Sequence, residues 1–293
     1  MRELKLTSFD GLTLQCYAWE DVKQPKGVVQ IIHGMKEHAK RYDPFATALN
    51  KAGYIVFGYD QRGHGLTLED PEKHGQSDGD IFSECVLDAI TVTEFITNTY
   101  KDLPVHIFAH SYGSFVAQKY IQVCDSPSKV ILCGTTYGSD LLYHFGKIPA
   151  FFTSLKGKHA KAKLIEAMSF KAYSKSFEDG NWITRDKEIY KQYTTDQLCG
   201  KPFPISFYKS MFRNLTKLNK GISEIKDDLK IFLIVGNQDR VSHNGKGVKK
   251  LHRLYQKRGK NAHLKIYDGA RHELMNEINK QEVFEDVIDF LDK

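Results

Sequence analysis

Short, almost wholly apolar runs recur along the chain, and most are followed by a stretch whose apolar positions return every three or four residues. The first pattern predicts buried strands and the second predicts amphipathic helices. Residues 3–20 predict a hairpin, because two alternating stretches flank the turn dipeptide Asp10-Gly11. Strands are then expected over 27–34 (GVVQIIHG), 54–60 (YIVFGYD), 105–110 (VHIFAH), 129–134 (KVILCG), 230–236 (KIFLIVG) and 263–269 (HLKIYDG). Helices are expected over 42–53, 81–100, 113–124, 246–258 and 280–292.

Apolar strands alternating with helices imply an α/β fold, with a mostly parallel central sheet and helices on both faces. The alternation fails between about 138 and 228, a helical, aromatic stretch without a convincing strand. We therefore expect a core of residues 1–137 and 229–293, with 138–228 inserted as a helical cap. Ligands of open α/β sheets bind beyond the carboxyl ends of the strands. An insertion leaving from such an end would cover that site.

Composition narrows the partners. The formal net charge is +6, but lysines are interspersed with acids through most of the chain and no reader motif accompanies them. A solvated surface is expected and no nucleic-acid partner. The five cysteines are widely spaced, with no C-x-x-C, which predicts reduced thiols and neither a disulfide framework nor a zinc site. The N-terminus lacks the apolar core of a signal peptide, and no apolar run approaches the ~20 residues that span a bilayer. A cytoplasmic protein without stable membrane insertion is expected.

The chemistry centres on Ala109-His110-Ser111-Tyr112-Gly113, a G-x-S-x-G-like pentapeptide between a strand and a helix. So sharp a turn needs small residues on either side of the serine and presents its hydroxyl. A hydroxyl becomes a useful nucleophile only when a base takes its proton and a third group orients that base. Asp239 follows one later strand and His272 the next, so Ser111, Asp239 and His272 all leave the same sheet edge in the order Ser, Asp, His. Taken singly, Asp239 also suits a turn cap and His272 a helix start. Asp140, His243 and His110 are rival acids or bases that we rank as structural or peripheral. The developing oxyanion needs backbone donors. Tyr112, at a helix N-terminus, and Met35, after His33-Gly34, are the candidates.

The segments IIHGMKEHAKRYDPFATAL, GYDQRGHGLT, AHSYG, VGNQDRVS and YDGARHEL resemble the α/β-hydrolase superfamily. The similarity is to its monoacylglycerol lipase and lysophospholipase-like branch, the serine aminopeptidase group, and covers about 27–135 and 229–293. The stretch NWITRDKEIYKQYTTDQLCG is similar to a bacterial subgroup. The resemblance implies an α/β-hydrolase fold with Ser111 as nucleophile, Asp239 as acid, His272 as base, and Met35 and Tyr112 as oxyanion donors. It also implies that Glu37, His38, Arg62 and His64 brace loops. Two positions depart from the pattern. Ala109 replaces the usual glycine, and Tyr112 stands where the lipases commonly carry methionine, which is expected to narrow or polarise the pocket.

The expected activity is hydrolysis of carboxylic esters, such as monoacylglycerols, lysophospholipids or short-to-medium acyl esters, with no metal and no cofactor. An aminopeptidase or amidase of the same superfamily, or a binding protein on this scaffold, is the alternative. Phe145, Phe151 and Phe152 either pack on the core, with the neighbouring lysines in water, or line the acyl pocket. The lysines interleaved with them are the expected point of transient contact with a lipid interface.

Overall fold

The computed structural model describes residues 1–138, 157 and 159–293. Its centre is an eight-stranded sheet in the order β1-β2-β4-β3-β5-β6-β7-β8. Strands β1 (Arg2–Thr7) and β2 (Thr13–Trp19) form the antiparallel hairpin, in register from Arg2↔Ala18 to Thr7↔Thr13. Gly11, at φ +89, turns the chain between them. Strand β2 runs antiparallel to β4 (Tyr54–Tyr59). The rest of the sheet is parallel: β4, β3 (Gly27–Ile32), β5 (Val105–His110), β6 (Pro127–Cys133), β7 (Lys230–Gly236) and β8 (Ala262–Tyr267).

The strands are apolar on both sides because each side meets helices. Val28, Ile32, Ile107, Val130, Leu132 and Leu233 face a core shared with α2 (Ile81–Thr99), α3 (Tyr112–Tyr120) and, through Val248 and Leu251, the helix after β7. Their neighbours Val29, Ile31, Phe108, Ile131 and Ile234 face a second core. That core is closed by α1 (Asp43–Lys51) and the C-terminal helix Lys280–Asp292, which contribute Phe45, Leu49, Phe284 and Val287. Gln30 is the polar exception within β3. It is satisfied by the Ala89 carbonyl (3.0 Å) and the Thr93 hydroxyl (2.7 Å), so its burial leaves no orphaned group.

Helix α3 stops at Tyr120, four residues before the expected end, and β6 begins at Pro127. A proline without an N–H is accommodated at the first position of a strand. Between β6 and β7 lie α4 (Lys163–Lys175), α5 (Lys187–Thr195) and α6 (Ile205–Leu218). The apolar positions of α6, among them Phe207, Met211, Leu215 and Leu218, are buried. Asp80, at the start of α2, accepts hydrogen bonds from Ser210 and Asn214 on α6 and pairs with Arg213 (2.9 Å). Helix α6 is thereby fixed to the core beside the strand ends. After β7 come α7 (Lys246–Lys257), β8 and α8 (Lys280–Asp292). Among the described residues no helix is long and apolar enough to cross a membrane, and all five cysteines are free.

Candidate active site

Ser111 occupies the turn between β5 and α3 at φ +51, a conformation rare outside glycine. The turn is forced by close packing of α3 on the end of β3. A Cβ on Gly113 would lie 2.3 Å from the Ile32 carbonyl oxygen and 2.4 Å from that of His33. Glycine alone permits that approach, and the Ser111 amide is held by the Cys133 carbonyl at 2.9 Å.

His272 and Asp239 converge on the serine from the loops after β8 and β7. His272 Nε2 lies 2.8 Å from Ser111 Oγ, and His272 Nδ1 lies 3.0 Å from Asp239 Oδ1. With Nδ1–H donating to the carboxylate, Nε2 is left as the acceptor for the serine hydroxyl. Asp239 is fully buried, and its Oδ1 also accepts the Val241 amide at 2.8 Å. Its Oδ2 has no partner among the described residues. Gly134, at φ +59 after β6, leaves room for the imidazole, whose Cε1 would be 3.2 Å from a Cβ there.

The Met35 loop follows β3. Its Gly34 amide donates to Glu37 Oε1 at 2.6 Å, and Lys36 adopts φ +64. Tyr112 is the first residue of α3, where amides have no carbonyl in a preceding turn to bond. Tyr112, expected to narrow or polarise the pocket, borders the cavity but turns its hydroxyl away from it. Its side chain is buried, the hydroxyl reaches Cys85 Sγ at 3.8 Å, and the ring packs 4.9 Å from Phe207.

A buried ionic network lies under the serine. Glu37 Oε1 accepts from His110 Nδ1 (2.9 Å) and the Tyr42 hydroxyl (2.9 Å), while Oε2 accepts from Arg41 (2.7 Å). Arg41 also grips both oxygens of Glu273 at 2.9 and 2.7 Å. His110 Nε2 donates to the His272 carbonyl at 3.3 Å. Burial pushes the Glu37 carboxyl up, but the charge of Arg41 and the hydrogen bond from His110 hold it well below the usual carboxylate range. His110 thereby links Glu37 to the backbone of the His272 loop. His243 lies at φ +54 in the turn after β7, and Asp140 is outside the described residues.

The remaining motif residues serve loops. Arg62 grips Asp88 through two 2.8 Å bonds, and His64 Nδ1 lies 3.0 Å from the Arg62 carbonyl. His38, Asp196 and Cys199 offer ligand atoms within 4.8 Å of one another, the one such potential metal-holding group among the described residues. There the Asp196 carboxylate already accepts from His38 Nε2 at 2.8 Å.

A cavity of about 290 Å³ opens onto Ser111 and His272. Its apolar wall includes Phe115, Phe170, Tyr173, Trp182, Met211 and Val241. Phe145, Phe151 and Phe152, the candidates for that wall, lie outside the described residues. The sequence reading missed Phe170, Tyr173 and Trp182, although Trp182 is one of only two tryptophans in the chain. Among the described residues, the carboxylates lining the cavity are paired, Glu166 with Lys36 and both Glu37 and Glu273 with Arg41.

The family model described as serine aminopeptidase, S33, matches residues 23–279. The chain belongs to the S33 family of α/β-hydrolases. This S33 chain is 26% identical to the monoglyceride lipase of Homo sapiens, over 93% of its own length and 84% of that protein's. It is 27% identical to the monoacylglycerol lipase of Mycolicibacterium smegmatis, over 96% and 93% of the two chains. The structure of a thermostable carboxyl esterase from Bacillus coagulans superposes with a TM-score of 0.87 at 27% identity, covering 99% of this chain and 97% of that one. A soluble variant of the Saccharomyces cerevisiae monoglyceride lipase shares the fold, with a TM-score of 0.79 at 22% identity.

Proposed function

We propose that the chain is a serine-dependent carboxylic ester hydrolase acting on monoacylglycerol-like or short-to-medium acyl esters. The observation that carries this reading is the run of hydrogen-bond distances from Ser111 Oγ through His272 to buried Asp239, at the mouth of a largely apolar cavity. The names of the lipase and esterase relatives support it.

In this mechanism Ser111 Oγ attacks the ester carbonyl while His272 Nε2 takes its proton. The oxyanion of the tetrahedral intermediate is held by the amides of Met35 and Tyr112, donors that gain strength as charge develops. Collapse expels the alcohol, which receives the proton from His272. Water, deprotonated by the same nitrogen, then releases the acid and regenerates Ser111. Asp239 fixes the tautomer and stabilises the imidazolium. Residues 138–228 act as the cap that walls the acyl site.

The aminopeptidase reading suggested by the family's description needs a carboxylate free to receive a substrate ammonium. The pairing of Glu166, Glu37 and Glu273 favours the ester instead.

The test is labelling by a fluorophosphonate, run beside a panel of monoacylglycerol, lysophospholipid and short aryl esters and aminoacyl amides. Wild type is expected to label and to cleave esters, while Ser111→Ala does neither. Labelling that persists in Ser111→Ala, or turnover confined to aminoacyl amides, overturns the proposal.

A further inference from the structure

Lys36 is an unexpected residue by two local criteria. Its φ of +64 belongs to the region that glycine favours, and its side chain is only 8% exposed. Glycine at this position would relieve the first and avoid the second. The compensation lies at the far end of the side chain. Nζ donates to Glu166 Oε1 at 2.7 Å and sits 4.7 Å from the ring centre of Phe170 and 5.7 Å from that of Phe203.

Glu166 is itself a fixed point. The same Oε1 accepts the Phe203 amide at 2.8 Å and the Tyr208 hydroxyl at 3.2 Å, which ties α4 to the start of α6. The main chain adds a second link, since the Gly200 amide donates to the Lys36 carbonyl at 3.0 Å. From below, Glu37 holds the Gly34 amide and is itself anchored by Arg41, Tyr42 and His110. Met35 therefore sits between a fastening to the sheet core and a fastening to the helices over the cavity.

We propose that Lys36 is a positioning residue: its ion pair with Glu166 ties the helices above the cavity to the Met35 amide and holds that amide at its working distance from the oxyanion. The inference rests on the reading of Met35 as an oxyanion donor. Lys36 itself touches no reacting atom. An oxyanion contact strengthens in the transition state, so a loosened donor lowers kcat and leaves KM largely unchanged. Glu166 belongs to the same device, so losses on the two sides of the pair are not additive.

The experiment measures kcat and KM for a short aryl ester, the rate of fluorophosphonate inactivation, and Tm. The variants are Lys36→Met, Lys36→Gly, Lys36→Arg, Glu166→Gln and the double variant Lys36→Met/Glu166→Gln. Displacing a catalytic group by about 1 Å can cost ~100-fold, so Lys36→Met is expected to lose about 10- to 100-fold in kcat with little change in KM. Inactivation should slow in parallel, Lys36→Arg should recover most of the rate, and the double variant should be no slower than the slower single. Lys36→Gly separates backbone strain from the strut, because it relieves the positive φ and should keep its Tm while losing rate.

Wild-type kcat in folded Lys36→Met or Lys36→Gly, or a loss confined to KM, overturns the proposal. If both fail to fold, Glu166→Gln decides, since it keeps the shape but removes the charge, and an unchanged kcat overturns the strut. A wild type that neither labels nor cleaves any ester overturns the ester-hydrolase reading instead. A labelled, active wild type with indifferent Lys36 variants overturns only the role of Lys36.

Discussion

The indole of Trp182 lies 5.2 Å from the imidazole of His272, tilted 31° to it. The indole also stacks on Phe170 at 5.7 Å and meets Tyr173 at 5.4 Å. Its loop is preset by Asn181, whose side chain accepts the amides of Ile183 and Thr184 at 3.0 and 3.2 Å. The Glu273 amide then bonds the Ile183 carbonyl at 2.8 Å, so the indole is fastened to the histidine's own loop. Trp182 thus covers one side of the proposed base and keeps bulk water from it.

Removing that cover should cost rate more than fold. Trp182→Ala is expected to lower kcat/KM on an aryl ester about tenfold, a change of about 1.4 kcal/mol in the barrier. Trp182→Phe keeps a ring against His272 and should retain most of the rate. Steady-state kinetics on the two variants decide it, and wild-type rates in Trp182→Ala would remove any role for the indole in the reaction.

Asp239 has one oxygen on His272 Nδ1 and the Val241 amide, and its other oxygen has no partner among the described residues. Asparagine in its place can present an N–H to Nδ1 and turn the imidazole to the wrong tautomer. Loss of the orienting acid in a Ser-His-Asp site lowers kcat by about 10⁴. Asp239→Asn should fall by that order while keeping its Tm within a few degrees. Single-turnover acylation measured by stopped flow checks this, and a loss below tenfold would move the acid to another residue.

Both ring nitrogens of His110 face acceptors, Glu37 at 2.9 Å and the His272 carbonyl at 3.3 Å, so only the imidazolium satisfies both. Burial pushes the His110 pKa down, but the hydrogen bond and charge of Glu37 outweigh it and raise it above the ordinary histidine value. A raised folded-state value gives stability that is complete below the unfolded pKa, about 6.5, and is lost as pH climbs through the folded value. The Tm gap between wild type and His110→Gln should therefore be widest below about pH 6.5 and close toward alkaline pH. Glu37 has the opposite sign, its contribution being present above the ordinary carboxylate range and lost as pH falls through its lowered value. Thermal melts across this range test both, and a His110→Gln gap that widens with pH contradicts a buried imidazolium.

The convergence of Ser111, Asp239 and His272 was legible because they lie one, three and five residues past the ends of β5, β7 and β8, and parallel strands bring their carboxyl ends to one edge. The signal was local and the sheet supplied the convergence. The cavity wall was not legible in the same way. Lys36 meets Glu166 across 130 residues of sequence, and nothing in the spacing around either residue announces the other. Phe170 faces the site on α4, which Glu166 ties to the start of α6, and Trp182 faces it on a loop held by Asn181 and the Glu273 amide, contacts that the spacing of these residues does not announce. The direction of the Tyr112 hydroxyl was hidden for a related reason: it finds Cys85 inside the core, and only packing decides that.

The cavity's size sets an expectation for chain length. At ~30 Å³ for each water-sized group, about 290 Å³ holds roughly ten such groups, room for an acyl chain of about eight carbons and its ester group. Each buried methylene contributes about 0.8 kcal/mol, close to fourfold in kcat/KM where the site has room. The rate should therefore climb with acyl length over the first several carbons, flatten at roughly eight, and fall for long chains that must leave the pocket. Phe170 forms part of the wall and stacks on Trp182, so Phe170→Ala should enlarge the cavity and move the optimum to longer chains. The measurement is kcat/KM across a series of p-nitrophenyl esters for wild type and Phe170→Ala. A series that keeps rising past twelve carbons in wild type, or an optimum that Phe170→Ala leaves in place, would mean that the acyl chain lies elsewhere.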